Sequence, residues 1–194
     1  MSKMSPAELR KAIKKVQDAK RYEHTLGVAY TAAALAMKYE EDILKAQIAG
    51  LLHDCAKCLS DEYLLEICDK AKLSVSDIER RNPFLLHAKA GAHLAKEKYH
   101  VEDKDILNAI YYHTTGRARM SLLEKIIFVA DYIEPGRKTA PNLRLIRKTA
   151  FEDIDGAICL IIKDTLIYLQ ESGGEIDPAT EITGKYYFDL KGVQ

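Results

Sequence analysis

Several things this chain has little of narrow its class before any motif is read. It carries no excess charge. Lys plus Arg number 29, as do Asp plus Glu, so there is no global basic field of the kind that drives non-specific nucleic-acid binding. An aromatic-basic recognition motif is also missing, and a nucleic-acid partner is not expected. Long apolar runs are absent too. Ile126 to Ala130 and Ile158 to Ile162 are flanked by charge and fall far short of the roughly 20 residues needed to cross a bilayer. No membrane partner is expected either. The start, Met1 to Arg10, lacks the basic-then-apolar order of a secretory signal, which points to a cytoplasmic protein. Cysteines number only four, Cys55, Cys58, Cys68 and Cys159, too few in 194 residues for a disulfide scaffold. Cys55 and Cys58 make a C-x-x-C, but no strand pattern precedes it and no second cysteine pair completes a zinc site. Both are read as reduced structural thiols rather than a redox dithiol. Strand-like alternation is nearly absent, and there is no internal repeat or low-complexity tract.

What is present is apolar spacing of three and four along most of the chain, the signature of helices packed on helices. The expected fold class is all-α. Ser5-Pro6 with Glu8 forms a helix start, since Ser caps, Pro suits the first turn and Glu favours the positive end of the dipole. That helix is expected to reach about Asp18. Further helices are expected over about Tyr22 to Tyr39, Ile43 to Asp54, Asp61 to Lys72, Ser76 to Arg81, Leu86 to Tyr99, Lys104 to His113, Ser121 to Ile133 and Glu152 to Leu169. Pro83, Pro135 and Pro141 punctuate them, together with Gly116, Gly136 and Gly173-Gly174. Residues 1–175 read as a single helical domain. After Ile176 the periodicity fades among Pro178, Gly184, Gly192 and the aromatic run Tyr186 to Phe188, so 176–194 reads as an extended tail.

The informative feature is a set of polar residues inside apolar helical surroundings. His53-Asp54 follows Ile48 to Leu52, and Asp131 follows Ile126 to Ala130. A carboxylate almost never sits in such a place without a cation or a set of donors. His87 follows Phe84-Leu85-Leu86, and His113 closes an apolar helix through Ile106, Ala109 and Ile110; His24 stands near the start of its own helix. A lone His among apolar residues is more often a hydrogen-bonded structural histidine, and His93 and His100 are left unassigned on that ground. A lone Asp is as readily a helix cap. The order H, HD, H, H, D, each near a helix end where several helices can converge, favours metal. Imidazole with carboxylate suits Zn, Mn, Fe or Ni. Four His and two Asp exceed what one tetrahedral ion takes, and two ions sharing a carboxylate would use all six.

With these segments in view, the chain resembles the HD-domain metal-dependent phosphohydrolase superfamily, and more closely its bacterial family of symmetrical diadenosine tetraphosphate hydrolases. The resembling stretches are Arg21-Tyr22-Glu23-His24-Thr25-Leu26-Gly27, Leu51 to Lys57, Leu86-His87, His113-Thr114-Thr115-Gly116-Arg117 and Ala130 to Arg137. The resemblance implies an HD-type helical bundle with a dinuclear centre, iron being the associated metal. His24, His53, Asp54 and Asp131 would take one ion, and His87 and His113 the other, with Asp54 bridging. It also implies cleavage of diadenosine tetraphosphate in the middle of its phosphate chain to give two ADP. The expected events are attack of a metal-bridging hydroxide on an inner phosphorus and departure of ADP.

A tetraphosphate needs positive charge beyond the metals. Lys57, three residues past Asp54, is the first candidate, and Arg137 after Pro135-Gly136 is the second, able to grip a phosphate bidentately. Thr114, Thr115 and Gly116 offer hydroxyl and backbone donors, with Arg117 beside them. Each of these cations could instead be solvated at a helix end. Glu134 could orient Arg137 or a ligand histidine from behind. Rival readings are a nucleotidase on the same site, which fold and metal set alone do not distinguish, and a non-catalytic nucleotide sensor, which the intact ligand set disfavours. Oligomeric state has no signature here, and a homodimer is left open.

Overall fold

A computed structural model of the chain describes residues 4–192 and is built from helices, with no β-strand among the described residues. In chain order these are α1 (Pro6–Ile13), α2 (Ala19–Tyr39), α3 (Ile43–Leu52), α4 (Asp61–Lys70), α5 (Asp77–Arg81), a 3-10 turn (Pro83–Leu86), α6 (His87–Glu97), α7 (Lys104–Tyr111), α8 (Leu122–Ile133), α9 (Leu143–Ala150), α10 (Ile154–Ser172) and α11 (Pro178–Lys191). None is long and apolar enough to cross a membrane. The all-α expectation holds.

Local chemistry sets most of the starts. Ser5 with Glu8, Ser76 with Glu79 and Ser121 with Glu124 form reciprocal capping boxes, so the free amide donors of α1, α5 and α8 are satisfied by their own first turns. α1 stops at Ile13, earlier than expected, because Asp18 is used to cap α2 through the amide of Arg21. α3 stops at Leu52, which leaves His53 and Asp54 in the turn beyond it.

α3 and α8 form the centre. α2, α7 and α8 pack around α3, while α8 also meets α10 and α9. Ile126 to Ala130 on α8 are all buried, as are Ala46 and Ile48 to Leu52 on α3. Burying a full Leu or Ile side chain is worth about 1.5–3 kcal/mol, so these two helices anchor the chain ends that carry His53, Asp54 and Asp131. Gly50 makes the crossing of α2 and α3 possible. A Cβ there would lie 2.7 Å from the Cα of Ala29, a backbone clash that no side-chain shift relieves. A smaller apolar cluster of Ala56, Leu64, Ile67, Cys68, Leu86 and Ala90 fixes α4 and the 3-10 turn beneath α6.

Three elements depart from the expectations. The 3-10 turn runs directly into α6, so His87 opens a helix rather than following its start. α9 fills a stretch outside the expected helices, burying Leu143, Ile146 and Ala150 at one-turn and two-turn spacing. Residues 178–191 are helical rather than extended. Asp177 caps α11 through the amide of Ala179 with Pro178 in the first turn, and the buried face is Thr180, Thr183, Gly184 and Tyr187. That face has helical spacing but no aliphatic residue, which is why its periodicity does not show in hydropathy. The four cysteines are free thiols; Cys55, Cys68 and Cys159 are buried and Cys58 is exposed.

Candidate metal centre and active site

The six side chains singled out above come together although they span residues 24 to 131. Nε2 of His24 and Nε2 of His53 lie 3.3 Å apart, as do Nε2 of His87 and Nε2 of His113. Asp54 stands between the two pairs. Its Oδ2 is 3.4 Å from His53 Nε2 and 3.8 Å from His24 Nε2, while its Oδ1 is 3.5 Å from His87 Nε2 and 3.6 Å from His113 Nε2. Asp131 joins the first pair, with Oδ1 3.0 Å from His24 Nε2 and 3.9 Å from His53 Nε2. Two groups have the spacing to hold a metal ion: His24, His53 and Asp131, and His53, Asp54 and His113. Among the described residues, His93 and His100 join neither.

Helix geometry aims the rings. Nδ1 of His53 donates to the Gly50 carbonyl, Nδ1 of His87 to Phe84 and Nδ1 of His113 to Ile110, each at 2.7 Å and each three residues back. A carbonyl can only accept, so Nδ1 carries the proton, and in the neutral ring Nε2 is left with its lone pair facing the centre. Lone pairs facing each other at 3.3 Å repel unless a proton or a cation lies between them. This donor set of imidazole nitrogens and carboxylates therefore fits a bound metal. His24 is oriented differently: its Nδ1 lies 3.2 Å from Oε1 of Glu134. Gly27, one turn on, lets that carboxylate in, since a Cβ there would sit 2.5 Å from Glu134 Oε2.

The electrostatics agree with a cation site. Burial resists the charged form of Asp54, yet His53 and His113 hold its carboxyl well below the usual range. Asp131 is likewise lowered, burial being overcome by the hydrogen bond from His24 and the charges of His53 and His113. Burial lowers His24 and His113, but Asp131 outweighs it at His24 and Asp54 at His113, leaving both above the ordinary histidine value. His87 is pushed down to about 3 by burial and by His113.

The expected phosphate-side residues are placed unequally. Lys57 Nζ is 3.3 Å from Nδ1 of His87, and burial lowers its pKa. Thr114 Oγ1 lies 3.4 Å from His87 Nε2 and 3.3 Å from His113 Nε2. Arg137 reaches the Asp131 carbonyl at 3.1 Å and Asp131 Oδ1 at 3.6 Å; its buried Nε has no hydrogen-bond partner among the described residues. Arg117 faces elsewhere. It makes a two-pronged pair with Glu124 (2.9 and 2.8 Å) and lies over the Tyr112 ring. Thr115 and Gly116 line a cavity with Thr114.

Two further residues were not anticipated from the sequence as parts of the site. Arg21 Nη1 is 2.7 Å from Asp54 Oδ2. It precedes His24 by three residues on α2, and that same-face spacing was the available signal. Gln17 donates to the Asp54 carbonyl at 3.0 Å and accepts from Thr25, a buried contact with no local pattern to reveal it.

Two cavities include residues in or next to the cluster. One of about 940 Å³ is lined by Arg21, His24, Tyr30, Glu134, Arg137 and Lys138, among others. The other, of about 320 Å³, lies beside Thr114 and is lined by Lys89, Tyr111, Tyr112 and Arg117 with neighbouring residues. Both volumes fall in the range of small-molecule sites.

The HD domain profile matches residues 21–136, a segment that contains all six clustered residues. The chain belongs to the HD domain family. Its HD-domain relatives include the symmetrical bis(5'-nucleosyl)-tetraphosphatase of Bacillus subtilis (strain 168), 42% identical over 163 residues that cover 84% of this chain and 87% of that protein. The protein of the same name from Halalkalibacterium halodurans is 44% identical over 163 residues, covering 84% and 86%. Among solved structures, a crystal structure of a predicted HD superfamily hydrolase involved in NAD metabolism from Clostridium acetobutylicum matches with a TM-score of 0.93 and 43% identity, over 96% of this chain and 98% of that one. This chain is an HD-domain hydrolase with a His/Asp cluster able to hold metal.

Proposed function

We propose that this chain hydrolyses diadenosine tetraphosphate symmetrically, giving two ADP. One observation carries the reading furthest: one cavity is lined by His24 of the cluster and a second by Thr114, which lies 3.4 Å from His87 Nε2 and 3.3 Å from His113 Nε2. A substrate with a nucleoside at each end of a phosphate chain thus has a space near each histidine pair. The names of the relatives point to the same substrate. His24, His53, Asp54 and Asp131 would hold one ion and His87, His113 and Asp54 the other, with iron the metal proposed. When bound, such a pair supplies a nucleophile from water near neutral pH and a clamp for the attacked and leaving oxygens.

The protein's own residues do the rest. Asp54, kept ionised by its histidine neighbours, presents one oxygen to each pair of rings. Lys57, whose Nζ lies 3.5 Å from Nε2 of His87, is positioned to offset charge developing on the departing ADP. Arg137 lines the larger cavity, where its guanidinium is placed to grip a phosphate oxygen. Thr114 sits at the threshold between the cluster and the smaller cavity, placed to donate its hydroxyl to the other side of the chain. Thr115, Gly116 and Arg117 line that cavity, Arg117 through its ring contact rather than a free guanidinium.

Product analysis tests the proposal. Incubated with Fe(II) or Mn(II), the chain should convert diadenosine tetraphosphate to ADP alone. ATP plus AMP would mean a different pose, and tight binding without products would leave a sensor rather than an enzyme.

A further inference from the structure

α9 lies beyond the part of the chain matched by the HD domain profile and carries Arg147, a half-buried side chain that points back at the centre. Its Nε donates to the Ile133 carbonyl at 2.9 Å, and its Nη2 donates to the carbonyls of Glu134 at 2.7 Å and Arg137 at 3.0 Å. Carbonyls in the last turn of a helix have no partner within it. α8 ends at Ile133, and Glu134 leaves with φ −50° and ψ 151°. One guanidinium thus adds donors to three carbonyls around the turn following α8, where within the turn the Arg137 amide also donates to the Glu134 carbonyl at 3.1 Å.

That turn also bears two side chains already placed at the site. Glu134 puts Oε1 on Nδ1 of His24 while its Oε2 accepts from the Gly136 amide, and Arg137 reaches the Asp131 carbonyl. Their positions depend on the backbone path from Ile133 to Arg137, which Arg147 on α9 braces at the carbonyls of Ile133, Glu134 and Arg137. We infer that Arg147 is a positioning residue: without touching substrate or metal, it sets Arg137 on its phosphate and Glu134 behind His24. The inference rests on the roles given above to Arg137 and Glu134. A lysine could not replace it, because one ammonium lacks the planar fork that spans separate carbonyls.

Arg147→Ala and Arg147→Lys, each purified and loaded with Mn(II), test this. Both should keep the helical circular dichroism of the parent. One of the two ions should bind about 10- to 100-fold more weakly, as when a partner behind a ligand is lost, while the other stays unchanged. ADP, used as the probe of phosphate grip, should also bind more weakly, and free guanidinium should recover both effects in Arg147→Ala but not in Arg147→Lys. If Arg147→Ala does not fold, the selective loss of one ion in Arg147→Lys carries the test. Parent-like binding of both ions and ADP in the variants overturns the inference, as does an equal loss of both ions that guanidinium leaves unrecovered. Failure of the parent to cleave diadenosine tetraphosphate would sink the proposed function, yet selective ion loss would still uphold the role of Arg147.

Discussion

Arg21 lays its Nη1 2.7 Å from Oδ2 of Asp54, the carboxylate oxygen that faces His24 and His53. In a site built for cations, the guanidinium serves as a resident countercharge for a nearly buried acid. Arg21→Ala should lower the stability of the metal-free protein by about 1–3 kcal/mol, the scale of a lost hydrogen bond to a charged group. The deficit should shrink once Mn(II) is added, because the ions then neutralise Asp54. Thermal melts of parent and variant with and without metal check this, and an equal deficit in both states would contradict it.

Glu134 and Gly27 make a matched pair for testing the orientation of His24. Glu134→Gln keeps shape but removes charge behind Nδ1, and should weaken the ion on the His24 side about 10- to 100-fold. Gly27→Ala should do the same from the opposite direction, since the new methyl would lie 2.5 Å from Glu134 Oε2 and must push the carboxylate aside. Metal stoichiometry and affinity in the two variants should therefore agree, and a silent Gly27→Ala would show that the carboxylate is not needed there.

Acid should compete with metal. His24 and His113 hold their protons above the ordinary histidine value, because Asp131 and Asp54 outweigh burial, and an ion requires the neutral ring. Apparent affinity for Mn(II) should thus fall as pH drops through those raised values and climb as pH rises. The metal-free protein should respond in the opposite sense. A raised folded value contributes stability that is present below the unfolded pKa and lost as pH rises through the folded one. His87, pushed down to about 3, stays neutral for metal binding across this window, but in the metal-free protein it partly offsets the trend, because only the unfolded chain protonates it as pH falls through about 6.5. Chelator competition and melts between about pH 6 and pH 8 read both trends, and a flat affinity profile would refute them.

Lys57 faces the imidazole of His87 from a buried position that already disfavours its charge. Lys57→Met should leave the ions in place while kcat falls about 10²- to 10³-fold, the scale of losing one preorganised donor at a developing anion. Steady-state kinetics with metal analysis separate these effects; unchanged kcat would assign Lys57 to packing.

The sequence-derived tail is open to a stability test. Tyr187 on α11 is fully buried, its hydroxyl accepts from the Met120 amide at 3.2 Å, and its carbonyl accepts from Cys159 Sγ. Tyr187→Ala should cost about 3–5 kcal/mol and Tyr187→Phe about 1 kcal/mol. Urea unfolding gives both values, and a neutral Tyr187→Ala would mean that α11 adds little to the fold.

The helical class and the six clustered residues were legible because both leave local marks: apolar spacing for the helices, and polar residues breaking apolar runs at His53-Asp54 and Asp131. α11 was illegible because its buried face is Thr180, Thr183, Gly184 and Tyr187, which carries the right spacing in the wrong chemistry. α9 was hidden by its brevity, with three basic residues among eight. Gln17 and Arg147 act on carbonyls 37 and 10 to 14 residues away, and a backbone oxygen has no identity that a sequence can display. The partner of Arg117 was equally hidden: a cation beside a candidate loop looks free until Glu124, seven residues on, is seen to pair with it.

Peptide oxygens at Gly50, Phe84 and Ile110 lock three of the four imidazoles to their own helical turns. The ring directions are consequently a property of the scaffold and need no template from an incoming ion. Loading becomes an encounter with a finished receptacle, unlike a zinc finger whose polypeptide organises only around its metal. A chelator should accordingly strip this centre and added Mn(II) refill it repeatedly, with the helical framework persisting through each cycle.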